Sequence, residues 1–282
     1  MPAHRHGPVL AEWRRNQSGP TLLERLMKRV LCILALASAA PVLAATAALA
    51  DTFVGTDGSE RIQGTPSPDQ LYGEGGDDTL VALGSSDFVE AGPGNDTVDG
   101  GGGLDLIIGG TGNDQIDAGV GADQVYAGAG DDLVLGGAGA DTLFGQDGSD
   151  RIFGGSGPDK LYASGGEDYV DGGSDDDTIY ADGDGITLLG AGGDDVISAS
   201  GGDITAEGGG GNDRIRTGTG KDRVSGGPGQ DSIATGRGND RIDAQDGQRD
   251  RVNCGRGRHD MVTNDLFDIV TGCETKTAQA VP

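Results

Sequence analysis

Hydrophobic side chains recur along this chain at a fixed interval of nine residues. From Gly55 to Asp243 the sequence divides into 21 blocks of nine without insertion or deletion, as in GGAGADTLF at 136–144. Position eight is Ile, Leu or Val in 20 blocks, position six is Asp in 18, and position four is Gly in 17. Positions that stay in phase over such a length indicate a repeat architecture.

Each block predicts one tight turn followed by one short strand. Glycines among the first six residues allow left-handed backbone conformations. The apolar residue in the middle of the last three points to one face of a strand, and its two neighbours point to the other. Because each turn reverses the chain, successive strands alternate between two sheets, and blocks 18 residues apart stack in one sheet. The predicted fold is all-β, a parallel β-roll (β-solenoid) with a thin core.

The acids at position six should form two rows, one along each edge of the roll. Ladder 1 contains Asp69, Asp87, Asp105, Asp123, Asp141, Asp159, Asp177, Asp195, Asp213 and Asp231. Ladder 2 contains Glu60, Asp78, Asp96, Asp114, Asp132, Asp150 and Asp168, then Asp222 and Asp240. Ile186 and Ile204 occupy the two intervening places, between Asp168 and Asp222. Neighbouring carboxylates repel each other at the strand spacing of about 4.8 Å. A cation bound between consecutive turns would convert this repulsion into attraction.

The ligands that these turns offer favour calcium. Carboxylates and the carbonyls of a glycine turn form an all-oxygen set of variable geometry, which suits Ca²⁺ better than Mg²⁺ and excludes soft metals. About 16 regular gaps remain along the two ladders once those touching Ile186 and Ile204 are left out. The two isoleucines predict a metal-poor break on one edge. Asp182 and Asp184 are candidate substitute ligands there, although simple decay of the repeat is the preferred interpretation.

The blocks resemble the GGxGxDxUx repeat of the hemolysin-type (RTX) calcium-binding proteins. The resemblance spans about two-thirds of the chain and implies a parallel β-roll with Ca²⁺ between consecutive turns of one edge. Many RTX proteins carry their repeats after a toxin, protease or lipase domain. Here the repeat array is nearly the whole of the mature chain, so the resemblance does not imply toxin activity.

Composition changes this picture in two ways. The chain has 56 glycines, 4 % aromatic residues and a formal net charge of −26. Composition of this kind favours disorder, and one apolar side chain per strand is a small driving force, so we expect folding to be coupled to metal binding. The acid excess also predicts that the protein binds neither nucleic acid nor anionic membranes.

The N-terminal residues 1–50 are predicted to be a targeting segment. Lys28 and Arg29 precede an apolar stretch that ends in Ala48-Leu49-Ala50, a small-x-small cleavage signal, and Met27 is a candidate true start. The alternative is a transmembrane anchor over 30–50, which lacks any charge. The preferred prediction is a Sec-type signal peptide, a secreted protein, and no membrane span after cleavage.

Beyond the roll at 51–244, the period is lost. Residues 245–275 are predicted to be a C-terminal cap that blocks edge pairing, followed by a tail at 276–282. Cys254 and Cys273 are the two cysteines left after signal cleavage, an even number in an oxidising compartment. We expect them to form a disulfide; two free thiols are the alternative.

One further pattern bears on partners. Outward position nine of one sheet carries four aromatic residues in successive blocks, Tyr126, Phe144, Tyr162 and Tyr180. Cross-strand stacking that stiffens the sheet is the preferred interpretation, and a docking stripe for glycan, cell wall or another chain is the alternative.

No catalytic motif is present, so we expect no enzyme. The chain is predicted to be a calcium-binding structural or surface-interaction module, with an adhesin and an accessory module of a separately encoded enzyme as alternatives.

Overall fold

A computed structural model describes residues 50–279, and these residues form thirty β-strands and no helix. The strands form two long parallel sheets of 13 and 14 strands and a small sheet of three. Residues 1–49, which hold nearly all of the predicted targeting segment, and residues 280–282 lie outside this range. The all-β parallel β-roll that the repeat predicts is confirmed over the described range.

The first long sheet contains β1 Asp51–Val54, β3 Asp69–Tyr72, β5 Phe88–Pro93, β8 Leu106–Thr111, β10 Gln124–Ala129, β12 Thr142–Asp147, β14 Lys160–Ser164, β16 Thr178–Gly183, β18 Val196–Gly201, β20 Arg214–Arg216, β23 Ser232–Ala234, β26 Arg251–Asn253 and β29 Ile269–Thr271. The second contains β2 Arg61–Gln63, β4 Thr79–Val81, β6 Thr97–Asp99, β9 Gln115–Gly121, β11 Leu133–Ala138, β13 Arg151–Ser156, β15 Tyr169–Ser174, β17 Thr187–Gly192, β19 Thr205–Gly210, β22 Arg223–Ser225, β25 Arg241–Ala244, β28 Met261–Asp265 and β30 Thr275–Gln279; β7 Gly102–Gly103 pairs with β9. The small sheet contains β21 Thr219–Gly220, β24 Arg237–Gly238 and β27 Arg256–Gly257.

Strand register follows the 18-residue spacing. Val125 of β10 is paired with Ile107 on one side and Leu143 on the other. In the middle of the solenoid most strands are six residues long, because pairing continues from position seven of one block through position three of the next. The three-residue strands that the sequence predicts occur mainly towards the two ends, and the glycine-rich start of a central block is strand as well as turn.

The core has two kinds of inward position. Position eight is buried throughout, with no more than 3 % exposure from Leu71 to Ile242. Position one of the next block also points inward, and it is occupied by small residues such as Ala82, Ala127 and Thr235. The core is therefore wider than one side chain per strand, but its second row contributes little apolar surface.

Glycine is favoured at positions two and four of the turn. Gly110 and Gly112 have φ of 126° and 121°, and an ideal Cβ on either would lie within 2.0 Å of a carbonyl oxygen 18 residues earlier. In some turns where another residue replaces glycine at these positions, as at Glu74 and Asp175, the positive φ is retained. The sequence preference thus reflects both backbone handedness and the close approach of successive coils.

The position-nine aromatics stack as the period predicts. Ring centroids are 4.8 Å apart for Tyr126 and Phe144, 4.5 Å for Phe144 and Tyr162, and 5.2 Å for Tyr162 and Tyr180, with interplanar angles of 5°, 11° and 17°. Each ring covers the face of its neighbour, so the row presents mainly ring edges to solvent. Tyr72, at position nine of an earlier coil in the same sheet, packs beside the ring of Phe88 and is buried.

The solenoid continues past residue 244. Asp231 donates its backbone N–H to Asp250, 19 residues on, and Asp240 donates to Asp260, 20 residues on, so short insertions interrupt the period without ending the sheets. Cys254 and Cys273 lie in this region in disulfide geometry, with Cα atoms 5.2 Å apart. Leu266 and Phe267 are exposed in the last coil. That residues 245–275 cap the solenoid, and that the cysteines are oxidised in the secreted protein, stay predictions.

Replacing a turn glycine should destabilise the folded protein. We expect Gly110→Ala to lower its stability by at least about 1–2 kcal/mol, because a Cβ disfavours the left-handed backbone and collides with the oxygen of Gly92. The matched control is Gly210→Ala, since an ideal Cβ at Gly210 meets nothing within 4 Å. Thermal unfolding in saturating Ca²⁺ measures both, and equal midpoints for the two variants would contradict this role of the glycine.

Candidate metal-binding edges

The position-six aspartates lie inside the turns, where the sequence places them. All 18 predicted ligand aspartates are buried, with 1–4 % exposure. The turn glycines bring the chain back on itself, so that each carboxylate is enclosed by its own block. In block 208–216, for example, an ideal Cβ at Gly208 would lie 2.3 Å from Oδ2 of Asp213. The aspartates are therefore interior groups of the solenoid edge.

One oxygen of each carboxylate links neighbouring coils. For every ladder aspartate after Asp69, Oδ1 accepts the backbone N–H of the position-six residue in the preceding coil of the same edge. The N···O distance is 2.7–3.1 Å wherever the donor residue is Asp. Glu60 and Ile204 donate in the same way to Asp78 and Asp222. The two ladders inferred from the sequence are thus two continuous files of hydrogen-bonded carboxylates, broken only at the isoleucines.

The other oxygen has no partner. Oδ2 accepts no hydrogen bond from any described residue in 17 of the 18 predicted ligands; Asp69, bonded to Thr65, is the exception. Asp250 and Asp260 have the same unpartnered, buried Oδ2, although the sequence did not single them out as ligands. A buried anionic oxygen without a partner is costly, and its repetition along both edges indicates that it serves a cation.

Backbone carbonyl oxygens of each turn lie close to the next coil of the same edge. The carbonyl oxygens of Gly92 and Gly94 lie within about 2 Å of the Cβ that a side chain at Gly110 or Gly112 would have. Among residues 50–279 no three His, Cys, Asp or Glu side chains converge as a metal-binding group. A cation held here would therefore need carbonyl ligands beside the carboxylates, and such a hard, all-oxygen set fits Ca²⁺.

The two isoleucines of ladder 2 replace the carboxylate with apolar contacts. Ile186 and Ile204 are 0 % and 1 % exposed and belong to the hydrophobic core. Asp182 and Asp184 stay on the surface, where Asp182 accepts the Ser200 hydroxyl and Asp184 accepts the backbone N–H of Asp203. Both side chains are exposed rather than enclosed by the turn, so the structure gives no support to their role as substitute ligands.

A second, exposed ladder was missed from the sequence. Along the edge of ladder 2, side chains at position five accept the backbone N–H of position five in the following coil, as Asp77 does from Asn95, Asn95 from Asn113, and Asn113 from Asp131. These bonds run in the opposite direction to those of position six. The short polar residues recurring 18 apart were the available signal, but variation between Asp, Asn and Ser concealed it.

Burial raises the pKa of many ladder carboxyls in the absence of metal. The main cause is desolvation, partly offset by the backbone hydrogen bond to Oδ1, with repulsion from neighbouring aspartates adding to the rise. The pKa is raised to about 7 for Asp105, Asp114, Asp150, Asp159, Asp177, Asp195 and Asp250. It is raised to about 6 for Asp87, Asp132, Asp141, Asp231 and Asp240. As pH rises above these values, the ladders carry buried negative charge that a bound cation would offset.

Comparison with known proteins agrees with this geometry. A family model described as the RTX calcium-binding nonapeptide repeat (4 copies) matches residues 54–89, 81–116, 108–143, 144–179 and 205–247. The interval 180–204, which holds both isoleucines of ladder 2, falls between two of these segments. No curated protein matches the chain.

The raised pKa values predict opposite pH responses with and without calcium. A carboxyl whose pKa is higher in the folded than in the unfolded chain stabilises the fold when protonated, and this stabilisation is lost as pH rises through about 6–7. We therefore expect metal-free protein to be more structured near pH 5 than near pH 8, and Ca²⁺ affinity to fall as pH drops below about 7. Circular dichroism in EDTA and calorimetric Ca²⁺ titration across this range measure the two responses. Metal-free structure that increased with pH would contradict the assignment.

Proposed function

Because the chain belongs to the RTX calcium-binding nonapeptide-repeat family, we propose that its two aspartate ladders bind rows of Ca²⁺ and that this binding drives the folding of the secreted protein. One observation carries the proposal. Along both edges a buried carboxylate oxygen recurs in each regular coil without a hydrogen-bond partner among the described residues. Consecutive aspartates of one ladder, together with the carbonyls of the glycine turns, would hold each ion.

The number of ions follows from the ladders. The regular gaps within residues 69–240 and the one at Glu60 give about 16. Asp250 and Asp260 extend the ladders by one gap each, which raises the expected number to about 18. The gaps around Ile186 and Ile204 are left out of this number, because those side chains carry no oxygen ligand.

Coupling between metal binding and folding rests on the balance of charge and core. Ladder carboxylates are buried in two files, and the core between them consists of one Ile, Leu or Val and one small residue per strand. Without a cation, the repulsion along each file opposes the stacking of coils. We therefore propose that the metal-free chain is largely unfolded at neutral pH and that Ca²⁺ supplies the missing stabilisation.

Export agrees with such a mechanism. The targeting segment at 1–50 would deliver the chain to a compartment where calcium is plentiful and Cys254 and Cys273 can be oxidised. No helix in the described part of the chain is long and apolar enough to cross a membrane. Folding would thus be delayed until the protein meets calcium outside the cell.

The biological role proposed is that of a structural or surface-interaction module. Stacked rings of Tyr126, Phe144, Tyr162 and Tyr180 cover one another's faces, which favours sheet stiffening over sugar stacking for most of this row. A calcium-dependent adhesin that uses the row to hold glycan, cell wall or a second chain is an alternative. An accessory module of a separately encoded enzyme is another.

A single carboxylate in the middle of ladder 1 provides a direct test of the sites. Asp123→Asn keeps the oxygen that accepts the N–H of Asp105 but removes the charge shared by two neighbouring gaps. We expect a loss of about two ions per molecule in equilibrium dialysis. Asp147→Asn, at an exposed position outside the ladders, is the matched control and should bind the full number. Equal stoichiometry in both variants would contradict the assignment of ladder 1.

A further inference from the structure

A basic groove lies beside the C-terminal coils of ladder 2. Its volume is about 600 Å³, and its walls include Lys221, Arg256, Arg258 and His259, with Asp203 at one end. All five side chains are exposed. The floor is backbone of the glycine turns, so the groove is open and runs across successive coils.

The positive charge of this groove is not balanced by ion pairs. Residues 51–282 contain 44 acidic and 14 basic residues, and 11 of the basic ones follow position 210. Carboxylates are therefore abundant, yet Lys221, Arg256 and Arg258 form no side-chain ion pair or hydrogen bond with any residue in 50–279. Asp203 is engaged by the backbone N–H of Lys221, at 2.7 Å.

The strand register brings like charges together in the same coils that form this groove. The small sheet places Arg237 directly beside Arg256, and the second long sheet places Arg223 directly beside Arg241. Like charges opposite each other on neighbouring strands destabilise a sheet. A bound anion would convert this repulsion into attraction, just as a cation does for the aspartates inside the same coils.

Calcium in ladder 2 would strengthen the positive potential. Asp222, Asp240 and Asp260 directly follow three residues that line the groove, and their exposures are only 1 %, 1 % and 0 %. While they are ionised and metal-free, their charge offsets that of the arginines above. Ca²⁺ between these coils, which rests on the function proposed above, would neutralise them and leave the groove cationic.

We propose that this groove binds a linear anionic polysaccharide through its carboxylate or sulfate groups, and that it does so in the calcium-loaded protein. The open shape across several coils suits an extended polymer that carries charges at intervals. No Phe, Tyr or Trp lines the groove in the described part of the chain, so nothing there offers a base-stacking platform.

The test uses full-length secreted protein with dextran sulfate as the probe and uncharged dextran of the same length as its control. The variant Arg256→Ser with Arg258→Ser removes two charges from the groove. Arg214→Ser with Arg216→Ser removes the same charge from the outer face of the first long sheet in the same third of the molecule. In saturating Ca²⁺ we expect affinity for dextran sulfate to fall about tenfold or more in the groove variant, and by no more than about twofold in the control variant.

Other outcomes would overturn the proposal. Equal losses in the two variants would show attraction by overall charge rather than a site. Tighter binding of single-stranded DNA than of dextran sulfate, lost in the groove variant, would make the ligand a nucleic acid. Self-association in light scattering that the groove variant abolishes would make it a second copy of this chain. Undiminished binding in EDTA would remove the calcium requirement.

Circular dichroism and Ca²⁺ stoichiometry, measured on the same samples, separate this proposal from the proposed function. Variants that bind the full number of ions and keep the strand signal are folded, so a loss of dextran sulfate binding then reports on the groove. If the wild-type protein takes up no calcium, the proposed function fails. If it takes up calcium and folds but does not bind dextran sulfate, the groove proposal alone fails.

Discussion

Burial of two files of carboxylates is the constraint on which this structure depends. The glycine turns fold around each aspartate, so that one oxygen bonds to the next coil and the other is enclosed without a partner among the described residues. Such groups favour the neutral state, which accounts for carboxyls whose pKa is raised to about 7. We therefore propose that at neutral pH and above the fold needs a positive charge inside each turn, where no described Lys or Arg side chain is buried.

Two parts of the molecule meet this constraint differently. At Ile186 and Ile204 the turn is filled by an apolar side chain that joins the core, so we expect stacking there to need no metal on that edge. The C-terminal coils carry exposed arginines as well as buried aspartates. The solenoid is thus uniform in backbone but not in charge, and its N-terminal coils depend most on bound cations.

Much of this architecture was accessible from the sequence because every coil repeats the same backbone. The nine-residue period fixed the alternation between sheets, the 18-residue register and the two ladders, and all of these hold in the structure. The inward row at position one was missed because residues such as Ala82 and Gly100 look like turn residues when only hydrophobicity is considered. Asp250 and Asp260 were missed because insertions of one and two residues shift them out of phase. The direction of the hydrogen bonds along positions five and six depends on side-chain geometry that no periodicity encodes.

Hydrogen exchange at neutral pH, with and without calcium, tests the central claim most directly. In Ca²⁺ we expect slow exchange of the strand amides and of the position-six N–H groups that bond to Oδ1. After removal of all divalent ions with EDTA, these amides should exchange at rates close to those of an unfolded chain, with residual protection confined to the coils around Ile186 and Ile204. Protection that persisted along both ladders in the metal-free protein would contradict the account.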